Sequence, residues 1–380
     1  MATAIYEQNR LRSYTNNEAV ITELAIYTKN KFCPDNEIKQ YQHLVDEPLV
    51  ATWTEYITEA EQLGVYETLK KYLVQFHFPI KENISQTEEY KNATLRGKNP
   101  QHLKSATGLI LEAPKQLKLF LYASIAGKIP VLVVENRNDF KAIIHALSCR
   151  NEPKPIPDSM GAAMIQGINN WDRLRTFQRN WQNQPTQTAF TKTDLSNNKA
   201  FYQDKIIVLS KIPYSNVSAE MMGLTPNDWL NKSLKIRLEH ECAHYFTLRH
   251  FGKMANNMHD ELLADYMGIC GVLPHYKSDW FLKFIGLEAY PNFRSDGRLK
   301  NYLGKPSLST AACKVLQTIL KKASDNLERF DHQMHNSEEK VDRKLKLFAL
   351  CHLDLVDIAA DKGIELLTET YRLLSVDTKE

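Results

Sequence analysis

Leu238-Glu239-His240-Glu241-Cys242-Ala243-His244-Tyr245-Phe246-Thr247-Leu248-Arg249-His250 is the stretch on which the reading of this chain turns. It closes a run, Thr225 to His250, that carries the marks of one long helix. Thr225 suits the cap, Pro226 the first helical position and Asp228 the positive end of the helix dipole. On such a helix, residues four apart stand about 40° apart around the axis and about 6 Å along it. His240 and His244 therefore present both imidazoles on one face, where they reach a single ion, and nitrogen donors suit Zn²⁺. Glu241 projects from the neighbouring face, positioned to act as a general base on a metal-activated water rather than as a ligand. Cys242 points away from the histidine face and reads as a packing residue.

A catalytic zinc takes three protein ligands and keeps one position open. After a short loop containing Asn256 and Asn257, helical spacing resumes in Met258-His259-Asp260-Glu261-Leu262-Leu263-Ala264-Asp265-Tyr266. Glu261 and Asp265, four apart, share a face. With Glu261 on the metal, Asp265 is available to accept the remaining ring N–H of His240 or His244, which fixes the tautomer and raises ligand basicity. The bland alternative is a surface helix decorated with Asp260, Glu261 and Asp265. A rival third ligand is His250, ten residues after His240, as in the metzincin string HExxHxxGxxH. Thr247 occupies the place of the glycine that turns the chain out of the helix. The helix then continues and carries His250 about 9 Å beyond His244, out of reach of the same ion. His259 and His275 are further candidate ligands that read as structural.

In these residues the sequence resembles the gluzincin branch of the zincin metallopeptidases, which joins HExxH on one helix to a Glu, and an Asp four residues later, on the next. The resemblance covers roughly 238–268. It implies His240, His244 and Glu261 as ligands of one Zn²⁺, Glu241 as general base and Asp265 as the carboxylate behind a ligand. Only 16 residues separate His244 from Glu261, fewer than in the best-known gluzincins, which implies a tighter loop. The family also implies a zincin-like core and an edge strand that pairs with an extended peptide. Lys205 to Leu209 is the strand in that place, and a plain core strand is the equal alternative.

The remaining chain reads as α+β and mostly helical. The expected organisation is an N-terminal helical region with a small α/β segment over 1–150, a zincin-like core over 151–305 and a C-terminal helical region over 306–380. Residues 79–105 are polar and read as a linker or long loop. GLILEAP suggests a strand, KQLKLFLYASIAG a helix, KIPVLVVEN a buried strand and DFKAIIHALSC a helix. Proline-rich NEPKPIPDSMG marks the boundary near 151, and MGAAMIQGINNWDRLRTFQRNW reads as one or two amphipathic helices. Asn169-Asn170-Trp171 either lines a cleft or caps a helix. Val131 to Val134 reads as core. Tyr214, Tyr245, Tyr266 and Tyr276 are each candidates to stabilise an oxyanion.

Composition narrows the function. A formal net charge of +3 gives no nucleic-acid footprint or membrane-surface patch. Neither GxGxxG nor GxxxxGK[ST] occurs, which lowers the odds of a Rossmann or P-loop enzyme. The N-terminus lacks the pattern of a secretory signal, and no apolar run approaches the roughly 18 residues of a membrane span. Six cysteines without CxxC spacing read as reduced thiols of a cytoplasmic protein. The expectation is an intracellular zinc-dependent hydrolase, a metallopeptidase with a peptide or protein substrate. Its rivals are a degenerate zincin or structural-zinc protein serving as a binding module, and a zinc hydrolase of a non-peptide bond.

Overall fold

The computed structural model describes residues 8–33, 40–182, 199–335 and 342–377. Its elements run α1 (Glu18–Thr28), α2 (Leu49–Leu63), α3 (Val65–Tyr72), α4 (Glu88–Arg96), β1 (Lys118–Ser124), β2 (Gly127–Val134), α5 (Arg137–Ser148), β3 (Ala162–Asn169), α6 (Trp171–Gln182) and β4 (Gln203–Ser210). They continue through α7 (Pro226–Phe251), α8 (Met258–Cys270), α9 (Ser278–Ile285), α10 (Thr310–His335), α11 (Arg343–His352), α12 (Leu355–Ala359) and α13 (Gly363–Asp377). The protein is α+β and mostly helical, with a small mixed sheet.

Two units divide the chain. Val45–Ile212 form a continuous unit, and Met1–Leu44 with Pro213–Glu380 form a discontinuous one. The boundaries expected near 151 and 306 thus fall inside the continuous and the discontinuous unit respectively, and every described strand belongs to the former.

In the continuous unit the sheet order is β1-β2-β4-β3, with β2 and β4 parallel and the outer pairs antiparallel. Leu132, Val134, Ile206 and Val208 share one core with Trp53 of α2 and with Phe140 and Ile143 of α5. β4 is hydrogen-bonded on both sides, so it has no free edge to offer a peptide. The strand-addition reading of Lys205 to Leu209 is therefore corrected: this is a core strand.

Other expectations are corrected here too. KQLKLFLYASIAG supplies β1 and the turn into β2 rather than a helix. Its partial burial alternates, with Leu119 and Leu121 packed on the core, a period-two pattern that its helix-forming composition masks. Ala162–Asn169 is also a strand, and Gly167, at φ +77°, sits in a register shift between Gln166 and Ile168 that hides the alternation. GLILEAP forms no strand, although Leu109 N–H donates to the Phe76 carbonyl. The polar stretch 79–105 contains α4, whose Tyr90 and Ala93 pack with Phe78 and Ile84. Asn170 is buried and its side chain accepts from Arg173 N–H at 3.0 Å, so it caps α6. The cleft reading gives way to the cap.

The discontinuous unit holds α1 and α7 to α13. Thr225 caps α7, its hydroxyl accepting from Asp228 N–H at 3.2 Å, with Pro226 in the first turn. The helix runs unbroken past Thr247 to Phe251 and ends at Gly252, at φ +74°. A short loop leads to Asn257, which caps α8 by accepting from Asp260 N–H at 3.1 Å. α8 then returns against α7 so closely that a Cβ at Gly268 would stand 3.0 Å from the Ile236 carbonyl. That contact sets the depth at which the α8 side chains meet those of α7. Among the described residues no helix is long and apolar enough to cross a membrane.

Candidate metal centre

α7 delivers His240 and His244 one turn apart, and α8 delivers Glu261 from its first turn. Their ligand atoms lie within 4.8 Å of one another, and all three residues are buried. His240 Nε2 and His244 Nε2 are 3.1 Å apart. Glu261 Oε2 is 3.6 Å from the first ring and Oε1 is 3.5 Å from the second.

The rear of each ring meets a carboxylate. His240 Nδ1 lies 2.9 Å from Asp265 Oδ1, and His244 Nδ1 lies 3.2 Å from Asp260 Oδ1. Each Nδ1 therefore carries a proton and donates it, so that in the neutral ring the Nε2 lone pair faces the other ring and Glu261. Asp260 is held in turn by the backbone N–H groups of Ala255 and Asn256, at 2.8 and 3.2 Å. Asp265 accepts from the Tyr214 hydroxyl at 2.6 Å and from Arg298, which also donates to the Tyr214 oxygen at 2.8 Å.

The electrostatics follow from this packing. Burial alone would push the Asp265 carboxyl up, but Arg298 and His240 outweigh it and bring it down to about 2. Burial likewise opposes ionisation of Glu261 and Asp260, yet the neighbouring imidazoles hold both below the usual carboxylate range. At His244 burial disfavours the charged ring, but Asp260 and Glu261 raise its pKa well above the ordinary value. The surroundings attract positive charge.

These residues fit a cation on the geometry alone. Two imidazole Nε2 atoms and a carboxylate converge, and among the described residues Glu261 Oε2 is buried without a hydrogen bond, with Arg298 Nη2 3.7 Å away. Unpaired buried acceptors are costly, and a bound cation satisfies all three at once. Two nitrogens and one carboxylate form a donor set suited to zinc.

The sequence-predicted His240, His244, Glu261 and Asp265 are thus brought together, and Glu241 follows His240 on α7, buried at 9% exposure. His250 is carried away on the continuing helix, where its ring packs against Tyr41, Phe246 and Phe348. His275 meets His332 and His335 instead. Of the four tyrosines, Tyr214 belongs to the site but turns its hydroxyl to the rear of His240. Tyr266 and Tyr276 bond to Asp331 and Ser324. Sequence reading missed three participants: Asp260, Arg298 and Tyr302, whose buried hydroxyl feels the Glu261 carboxylate. Asp260 had a usable signal, since it precedes Glu261 and shares a helix face with Ala264 rather than with solvent. Arg298 and Tyr302 come from a single 3₁₀ turn, Arg298–Tyr302, with no spacing that ties them to α7 or α8.

The chain belongs to a family described as a family of unknown function (DUF7005), whose model matches residues 9–362. No curated protein and no solved structure matches it.

Proposed function

We propose that this member of the DUF7005 family is a zinc-dependent hydrolase, a cytoplasmic metallopeptidase holding one zinc ion on His240, His244 and Glu261. The observation that carries the reading is the meeting of two imidazole Nε2 atoms, 3.1 Å apart, beside a buried carboxylate, with both Nδ1 atoms engaged by aspartates. The proposal includes a zincin-like core in a restricted sense. Its gluzincin-like part is the α7–α8 pair, with HExxH on one helix and Glu261 and Asp265 on the other. A cytoplasmic setting agrees with six cysteines that form no disulfide.

His240, His244 and Glu261 would hold a zinc ion whose chemistry would be to polarise a carbonyl and to make a water more acidic. The protein's own residues divide the remaining work. Asp265 and Asp260 fix the tautomers and orientations of His240 and His244. Tyr214 and Arg298 hold Asp265 in place. Glu241, about 100° around α7 from His240, receives the proton of the attacking water and returns it to the leaving amine. A purely structural site has no use for such a base.

The test pairs metal analysis with cleavage of a quenched-fluorescent peptide library. Wild type is expected to contain zinc and to cleave, and Glu241→Gln to contain zinc without cleaving. Cleavage retained by Glu241→Gln would sink the general-base role. Zinc without cleavage in wild type, across peptide and ester libraries, would favour the binding-module reading.

A further inference from the structure

The continuous unit contains a cavity of about 400 Å³ that the metal-centre reading does not use. Lys70 and Lys71 of α3 line it, together with Lys98 and Gln101 from the turn after α4 and Arg175 of α6. Lys71 is paired with Glu59 at 2.5 Å. Among the described residues, Lys70, Lys98 and Arg175 form no ion pair with a carboxylate, Arg175 donating to the Gly97 carbonyl at 3.4 Å, and Glu67 is the one acidic residue in the lining. Some other cations of this unit are matched, as in Lys118 with Glu135 and Lys128 with Asp46.

Three unmatched cations around one concavity focus a positive potential there, which raises the local concentration of anions. Arg175 adds a planar donor fork suited to phosphate oxygens, and the two lysines add mobile ammonium donors. Part of the wall is closely packed. Gly97, at φ +68°, lies against the Trp171 ring so closely that a Cβ there would stand 2.7 Å from it. The volume falls within the range of small-molecule sites. The chain as a whole carries only +3, which gives no sign of an extended nucleic-acid track.

We infer that this cavity binds a small phosphate-bearing molecule through Lys70, Lys98 and Arg175. The inference stands independently of the metal centre.

The experiment is titration calorimetry of inorganic pyrophosphate into the full-length protein, with EDTA present throughout so that no metal bridges the ligand. Wild type is expected to bind one equivalent, more weakly as salt is raised. Lys98→Glu/Arg175→Glu, both exposed positions, should keep the fold by circular dichroism and weaken binding by about tenfold or more. The charge-matched control Lys115→Glu/Lys154→Glu should bind as wild type does. No saturable binding by wild type would overturn the inference, as would equal weakening in the control. Tighter binding of a single-stranded RNA than of pyrophosphate, lost in the same cavity variant, would overturn the small-molecule assignment.

Discussion

Each unit buries a polar network, and the two networks are built in opposite senses. In the continuous unit, donors converge on one acceptor. Buried Asp204 of β4 receives the Trp53 indole N–H at 2.9 Å and the Asn170 amide at 2.7 Å, and Arg173 lies 2.9 Å away. Burial still holds Asp204 above the usual carboxylate range despite Arg173. That network ties β4 to α2 and α6 by setting donors against an acceptor, although Asp204 Oδ1 and the Nε and Nη1 of Arg173 are buried without a hydrogen bond among the described residues. In the discontinuous unit, acceptors converge on acceptors: His240 Nε2, His244 Nε2 and the Glu261 carboxylate. Proteins avoid this arrangement unless a cation or proton belongs at its centre. Burial of charge alone therefore separates nothing. The sign of what faces what does.

The contrast sharpens under substitution. The largest effect is expected at the base beside the acceptor cluster. Glu241→Gln should lower peptide hydrolysis by about 10²–10⁴-fold while zinc content stays at the wild-type level, read by metal analysis beside an initial-rate assay. Next comes the donor network. Asp204→Ala strands buried Arg173 and should cost about 3–5 kcal/mol in urea unfolding, with zinc per folded molecule unchanged. Loss of zinc in that variant would break the claim that the two networks do separate work.

A smaller effect is expected behind the ligands. Asp265→Asn or Asp260→Asn should weaken zinc affinity by about 10–100-fold in a chelator competition, because each aspartate only orients a ring. An unchanged affinity in both would mean that these carboxylates are incidental neighbours.

The smallest effect concerns His250, which packs rather than ligates. Burial lowers its pKa from 6.5 to about 4. The folded state therefore favours the neutral ring, and stability present above pH 6.5 is lost as pH falls toward about 4. His250→Leu should flatten that part of the Tm–pH curve and leave zinc content alone. Zinc lost with His250 would restore the metzincin reading.

The parts of this molecule that were legible in sequence are those where one short segment states its own geometry. Thr225, Pro226 and Asp228 announce α7, HExxH announces two imidazoles on one face, and the Glu261–Asp265 spacing announces the facing helix. Thr247 tells correctly that the helix continues. What stayed hidden depends on partners distant in the chain. β1 has helix-forming lysines and leucines, and only its pairing with β2 makes it a strand. β4 looked like a candidate edge until β2 and β3 occupied both its sides, a matter of topology that no local pattern carries. Arg298 reaches Asp265 and Tyr214 from a 3₁₀ turn whose sequence, Arg298-Leu299-Lys300-Asn301-Tyr302, holds no motif. The division into two units escapes composition because the chain leaves one unit at 44 and returns to it at 213, and composition does not record a return.

The central claim is that α7 and α8 together hold one zinc ion, and metal content tests it most directly. Purified wild type, His240→Ala and Glu261→Ala would be compared by mass-spectrometric metal analysis, with circular dichroism to verify folding. The expected result is about one zinc per wild-type chain and its loss from both variants, one altered on each helix. Wild type that folds and takes up no zinc, even when zinc is supplied, would contradict the claim and leave the HExxH spacing a coincidence.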